Sequence, residues 1–413
     1  MKAKDYLQIF TSRKMAATAL LAFSSGLPLP LVSGTLDVWM RSEAIDLTTI
    51  GIFSLVQLPY SLKVFWAPLM DHFKIPFRHA RAGWMLVTQM LLVISIFALG
   101  KLDPVNALWM FAPVALLVSF LGASQDIVID GYRAELLKDK ERGMGAALAS
   151  VGGRVGFLVS GSVALVLSQH LPWKTVYAMM ACFMAVGIIG ALFSPAPESV
   201  AIPQKTLRQS VIDPFKEYLK RDQAVLLLLF ILLFKLGDVV AGKMLSPFLM
   251  DTGFSREQLG LVNKGFGMIV SILGGIMGGG LYAKWGMRKS LWVFGILQML
   301  SNFVFVAQYY AGKNDWMLFA SVGIENFCAS LGSVAFVALL MSLCQTGLAG
   351  TQYALLSSLF ALTRTIAATP TGYLAKHLGW PGFFTLSAIL AIPGLWMLRH
   401  LWETIGEEKS QHL

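Results

Sequence analysis

Ten ionisable residues stand inside stretches that are otherwise apolar. Six are basic (Lys63, Arg154, Lys235, Lys243, Lys264 and Arg364) and four are acidic (Asp126, Asp130, Asp238 and Glu325). At the centre of a membrane helix each costs roughly 2.5–3.5 kcal/mol on insertion scales. They are tolerable only where they face water or one another. Two kinds of chemistry suit them. A carboxylate whose affinity for a proton is tuned by poor solvation and a nearby cation can load and release that proton. Asp126, Asp130, Asp238 and Glu325 are therefore candidates for proton coupling. A cation left over after pairing calls for an anion from outside, and six bases against four acids leave two such cations. An anionic solute is the expected ligand, with Arg154, Lys235, Lys264 and Arg364 holding its carboxylates. For Lys63 and Lys243 the alternative is snorkelling toward an interface.

Spacing sharpens these assignments. In 225–243, "VLLLLFILLFKLGDVVAGK", Lys235 and Asp238 are one turn apart and side by side. At ~100° per residue, Lys243 lies about 80° round from Lys235, so all three fit one cavity-facing arc. A structural ion pair and a substrate- or proton-handling pair are both open for Lys235 and Asp238. In "FLGASQDIVIDGYRAELL", Asp126 and Asp130 are four apart on one face, with Gln125 beside them. Asp130 also lies near Arg133 and suits a charge network at the cytoplasmic end. In "VGIENFCASLGSVAF", Asn326, Ser330 and Ser333 share a polar face next to Glu325. That face suits sugar hydroxyls and amides, or hydrogen bonds between helices. Gln125, Asn263, Asn326 and Gln352 are the expected hydrogen-bonding residues for a ligand. Trp39, Trp66 and Phe266 either stack on sugar rings or pack in the core.

Enzyme chemistry finds no footing. "GDVVAGKM" (237–244) begins like a phosphate-binding loop, but Met244 replaces the Ser/Thr and no strand precedes it. No GxSxG, GxGxxG or HExxH occurs, and no catalytic or metal-ligating constellation is expected. The only cofactor-like species expected is the proton, as coupling ion. Cys182, Cys328 and Cys344 fall in apolar segments without a CxxC and read as packing residues.

The elements that must position these residues are membrane helices. The chain has 413 residues, 56% hydrophobic and 14% charged, with mean hydropathy +0.66. Soluble domains carry about a quarter charged residues. About twelve runs approach the roughly 20 apolar residues a spanning helix needs. They fall near 15–40, 48–70, 83–100, 106–132, 143–168, 174–194, 223–250, 257–283, 289–310, 315–343, 351–375 and 382–401. Continuously apolar runs exclude the alternating strands of a barrel. The expectation is an all-α membrane protein of 12 transmembrane helices in two six-helix halves, 1–194 and 223–413. A cytoplasmic linker over 195–222 joins them, and its end, "VIDPFKEYLKRD", suits a short amphipathic helix. Lys and Arg in the loops set the orientation: twenty-one on the side of both termini against six on the other. Both termini are thus expected in the cytoplasm. The net charge of +10 is mostly this topological signal, with lipid headgroups rather than nucleic acid as the partner. Gly274/Gly278 and Gly275/Gly279 read as close helix packing. Pro28, Pro30 and Pro247 mark bends.

The halves repeat weakly. "SQHLPWKTVY" (168–177) matches "AKHLGWPGFF" (375–384), and "DLTTIGIFSLV" (46–56) matches "SREQLGLVNKG" (255–265). The loops "APLMDHFKIPFRHAR" (67–81) and "GGGLYAKWGMRKS" (278–290) both place spaced basic residues after an acid or glycine. This resembles the loop motif of the major facilitator superfamily, with Asp71, Arg78 and Arg81 as the gating loop. Parallel-repeat halves rocking about a midplane site suit that fold.

Longer motifs carry a closer resemblance. "FSSGLPLPLVSGTLDVWM", "LKVFWAPLMD", "ASQDIVIDGYR", "ERGMGAAL", "LFKLGDVVAG", "GLVNKGFG", "IENFCASLGSVAFVALLMSLC" and "TQYALLSSL" resemble the AmpG muropeptide permeases, from about Tyr6 to Trp402. The resemblance implies a bacterial inner-membrane permease driven by the proton motive force, and a monomer is the expected state. Its substrate would be N-acetylglucosaminyl-1,6-anhydro-N-acetylmuramic acid, with or without a stem peptide, taken from periplasm to cytoplasm. That would serve peptidoglycan recycling and, in some bacteria, β-lactamase induction. Such substrates carry carboxylates, in keeping with the surplus cations. Some members of the family have extra C-terminal helices after the twelfth, where this sequence stops; two expectations follow, that those helices are dispensable or that the substrate range differs. The alternatives are a permease for a siderophore or other anionic solute, and a non-transporting sensor of cell-wall fragments.

Overall fold

With no water in hydrocarbon to bond the backbone, these apolar runs must pair their own N–H and C=O groups. A computed structural model describes residues 12–73, 75, 77, 80–137, 139–196, 224–343 and 349–401, and every regular element among them is helical. Nine stretches among the described residues are long and apolar enough to cross a membrane. Two shorter apolar helices, Leu47–Leu62 and Leu356–Ala368, accompany them. The longest stretch, Arg256–Ala311, is broken at Gly286, and Thr371–Arg399 is broken at Gly379. These glycines have φ of 74° and 66°, a region that costs a residue with a Cβ dearly. The expected twelve crossings therefore depend on splitting Arg256–Ala311 at Gly286 and counting both short helices.

The chain divides into two units, Met1–Ile45 with Val56–Thr206, and Asp46–Leu55 with Leu207–Leu413. Most of the expected linker, and the amphipathic helix at its end, lies outside the described residues. In the first unit Ser12 caps the helix Arg13–Gly26. Pro28 and Pro30 then start a separate short helix, Pro28–Leu31, before Gly34–Ser42, so the expected bend is present. Arg13–Gly26 packs on Asp139–Leu158 through missing side chains. A Cβ on Gly26 would sit 2.1 Å from the Gly153 carbonyl oxygen, and one on Gly156 would sit 2.1 Å from that of Phe23. Around this contact Met15, Leu21, Met85, Val128, Ile129 and Tyr132 form a buried cluster.

In the second unit the helix break falls at Lys235, between Ala224–Phe234 and Leu236–Asp251, while Pro247 lies inside a continuing helix. The bend expected at Pro247 is thus found instead at Lys235, more than three helical turns earlier. A Cβ on Gly237, just past the break, would lie 2.3 Å from the Ser387 carbonyl oxygen. Phe230, Phe234, Phe294, Leu331, Phe336 and Leu339 form this unit's core. Gly274 and Gly278 pack against the helix Asp315–Ser342, while Gly279 has open space beside it. Residues 46–55 belong to this unit. Asp46 caps Leu47–Ile52, the Gly372 Cα packs against the Leu47 carbonyl, and Lys376 Nζ lies 2.7 Å from Asp46 Oδ1. The Lys376 hydrogen bond holds the Asp46 carboxyl below its ordinary range.

The repeats seen in sequence have structural counterparts. Trp173 Nε1 donates to Ser42 Oγ at 3.1 Å, and Trp380 Nε1 donates to Asp251 Oδ2 at 3.2 Å. In each unit a tryptophan that opens a late helix thus reaches the end of an early one. Asp46 and Ser255, at matched positions of the other repeat, are both helix caps.

Candidate functional site

In the first unit the polar groups gather where Arg13–Gly26 meets Leu108–Leu136. Ser25 Oγ donates to Asp126, and Lys63 Nζ stands 3.7 Å from Asp126 Oδ2. Lys63 thus has a carboxylate of its own unit within reach. Gln125 is fully buried, and its Nε2 donates to Ser24 Oγ at 2.9 Å; Gln89 Nε2 reaches the same hydroxyl at 3.3 Å. Gln125 thus points at a neighbouring helix of its own unit. Asp130, four residues on, is exposed and paired with Arg133 at 2.7 Å. That is the charge-network arrangement left open by the sequence. Arg81, expected from sequence to belong to a gating loop, makes a two-point contact with Glu135 Oε1, at 3.0 Å from Nε and 2.6 Å from Nη2. Arg78 and the side chain of Asp71 lie outside the described residues.

The second unit builds its polar centre around the helix break. Lys235 is only 3% exposed. Its Nζ donates to Gln298 Oε1 at 3.0 Å, to the Ala329 carbonyl at 3.3 Å and to Ser333 Oγ at 3.2 Å, and lies 3.6 Å from Asp238 Oδ2. An ammonium has three protons to give, and these contacts occupy them. The break at Lys235 is where the helix turns this side chain inward. Glu325 accepts from Asn326 Nδ2 at 2.8 Å. It lies within electrostatic range of Asp238, Lys235 and Lys264. Asn326 also donates to the Val322 carbonyl at 2.9 Å and accepts from Ser271 Oγ at 3.1 Å, while Ser330 donates to the Ser271 carbonyl at 2.6 Å. The polar face of this helix is thus spent largely on the neighbouring helix. Asn263 and Lys264 sit in a π-helical segment, Leu259–Phe266, a widened turn often found at functional sites. Asn263 Nδ2 donates to Ser246 Oγ at 3.3 Å.

Two candidate cations differ from the rest. Arg154 and Arg364 are exposed, and among the described residues neither makes an ion pair. A guanidinium in a membrane segment is stable only where water or an anion reaches it. Lys243 is half-buried with partners of its own. The Gln352 side chain and Cys344 lie outside the described residues. Trp39 is a core residue: its ring stacks on Trp173 at 5.4 Å and meets Phe111 edge-on at 5.2 Å. Phe266 meets Phe319 edge-on, and Trp66 donates to Ser124 Oγ. Cys328 is buried, as a packing residue should be, whereas Cys182 is exposed.

Sequence reasoning missed Ser24, Ser25, Gln89 and Gln298. A signal for the two glutamines was available. "QML" occurs at 89–91 and again at 298–300, in the third apolar run of each half. "FSSG" (23–26) and "FKLG" (234–237) align in the first. The structure pairs these positions: Gln89 bonds Ser24, and Gln298 bonds Lys235. Lys235 stands where the other unit has a structural serine.

Residues 15–368 match the model of the Major Facilitator Superfamily. The chain is 42% identical over 398 residues to the anhydromuropeptide permease of Escherichia coli (strain K12), covering 96% of this chain and 81% of that protein. It is 33% identical over 404 residues to the putative transporter AmpG 4 of Rickettsia conorii, covering 95% and 98%. Among solved structures, a variant of the nucleoside transporter NupG superposes with a TM-score of 0.71 at 12% identity, covering 94% of this chain and 100% of that one. At that identity the likeness speaks for the fold alone.

Proposed function

The chain belongs to the major facilitator superfamily and, within it, to the AmpG-type transporters, and from that premise we propose that it is a proton-coupled importer of anhydromuropeptides. The cargo is the anhydro-disaccharide of the cell wall, with or without its stem peptide. It passes from periplasm to cytoplasm across the bacterial inner membrane. The observation that carries this reading is the 42% identity to an anhydromuropeptide permease along 96% of the chain. The unpaired guanidinium groups support it. A carboxylated sugar or peptide supplies what Arg154 and Arg364 lack, and a planar guanidinium takes a carboxylate through two parallel hydrogen bonds. Lys264, Asn263 and Gln352 complete the reading as polar contacts to the glycan. The transporter works as a monomer embedded in lipid, with the proton as its coupling ion.

Uptake of labelled anhydromuropeptide into proteoliposomes, with and without an inward proton gradient, tests this. The expected result is accumulation above the external concentration only when the gradient is imposed. Equal uptake with and without it removes the coupling. Binding without any flux replaces the importer with a sensor.

A further inference from the structure

Of the carboxylates in the membrane segments, Asp126, Asp130, Asp238 and Glu325 are the candidates proposed to carry the coupling proton, and geometry separates these four. Asp126 is within 3.7 Å of Lys63, Asp130 within 2.7 Å of Arg133, and Asp238 within 3.6 Å of Lys235. Each has a cation of its own within ion-pair distance. Among the described residues Glu325 has no cation within 4.0 Å. Its close partner is the Asn326 amide at 2.8 Å, a neutral donor. A half-buried carboxylate whose nearest partner is a neutral amide gains more from taking a proton than one in direct contact with a cation.

Its surroundings give that proton a consequence. From the helix break come Lys235 and, one turn on, Asp238. The π-helical segment adds Lys264, and Glu325's own helix adds the Cys328 thiol. Ser271 reaches the group only through Asn326. With both carboxylates ionised, two cations face two anions and the cluster is neutral. A proton on Glu325 leaves one positive charge in excess, and an anion entering the site cancels it. Proton and anion then each improve the binding of the other, which is what linkage between two sites requires.

Resting on the importer reading above, we infer that Glu325 carries the coupling proton, and that Lys235, Asp238 and Lys264 set the charge balance that makes proton and anionic substrate bind together. Lys235 serves here as a positioning residue. Its protons are committed to Gln298, Ala329 and Ser333, and it fills the place of Ser24 in the other unit.

The test is Glu325→Gln, which mimics the protonated state. In proteoliposomes this variant is expected to exchange internal for external anhydromuropeptide, yet to lose accumulation driven by a proton gradient. Wild-type affinity should fall up to tenfold per pH unit once Glu325 ionises, because one proton is linked to one anion. Binding to Glu325→Gln should stay flat across the same range. Accumulation by Glu325→Gln at the wild-type level overturns the inference, as does an unchanged pH dependence. Should Glu325→Gln fail to give monodisperse protein, Glu325→Asp decides. It still titrates and is expected to accumulate, and exchange without accumulation overturns the assignment. Wild-type protein that neither exchanges nor accumulates overturns the importer reading itself, and this inference with it.

Discussion

A charge inside a membrane helix is informative because it is expensive, and here the expense is met in two ways. Lys235 is compensated within the protein, by Asp238 and three further acceptors. Arg154 and Arg364 are left toward an exposed surface. Removing one member of a buried pair leaves the other uncompensated, a loss of about 3–5 kcal/mol where burial is deep. Lys235→Met is therefore expected to lower the unfolding temperature of detergent-purified protein by several degrees. Adding Asp238→Asn should recover part of that loss, because the orphaned carboxylate is removed. Thermal unfolding of the two single variants and the double variant measures the coupling. Strictly additive losses would mean that the pair contributes nothing as a pair.

At the scale of elements, close approach between helices decides what each glycine does. A methyl group on Gly156 would fall 2.1 Å from the Phe23 carbonyl oxygen, whereas one on Gly279 would meet nothing within 4 Å. Gly156→Ala should therefore force Asp139–Leu158 away from Arg13–Gly26 and cut the yield of folded protein severalfold. Gly279→Ala should be neutral, or stabilise by up to about 1 kcal/mol through helix propensity. Fluorescence-detected gel filtration on both variants reads the difference; equal yields would remove the packing argument. Much of this level was legible beforehand. Apolar runs marked the helices, the glycine spacing marked Gly274 and Gly278, and Pro28 and Pro30 marked a bend. The break at Lys235 was not legible, because Pro247 pointed elsewhere and no breaker residue stands at 235 itself. Pairing was not legible either. Which charge meets which depends on the neighbours of each helix, and Ser25, Gln89 and Gln298 are ordinary polar residues until those neighbours are known.

For the whole molecule the strongest sequence signal is the split of Lys and Arg, twenty-one on one face against six on the other. Cationic loops resist translocation, so the richer face is expected to be the cytoplasmic one. Two exposed positions report on opposite faces: Asn106, in the turn after Ala80–Lys101, and Lys289, next to the break at Gly286. Single cysteines at these positions, in a background lacking Cys182, Cys328 and Cys344, test the orientation. An impermeant maleimide given to intact cells with a permeabilised outer membrane should label Asn106→Cys at once. Lys289→Cys should react only after lysis. The reverse pattern would invert the topology. Labelling of both positions in intact cells would mean that one of the segments between residues 106 and 289 does not cross, and the part of Arg256–Ala311 before the break at Gly286 would then be the first to re-examine.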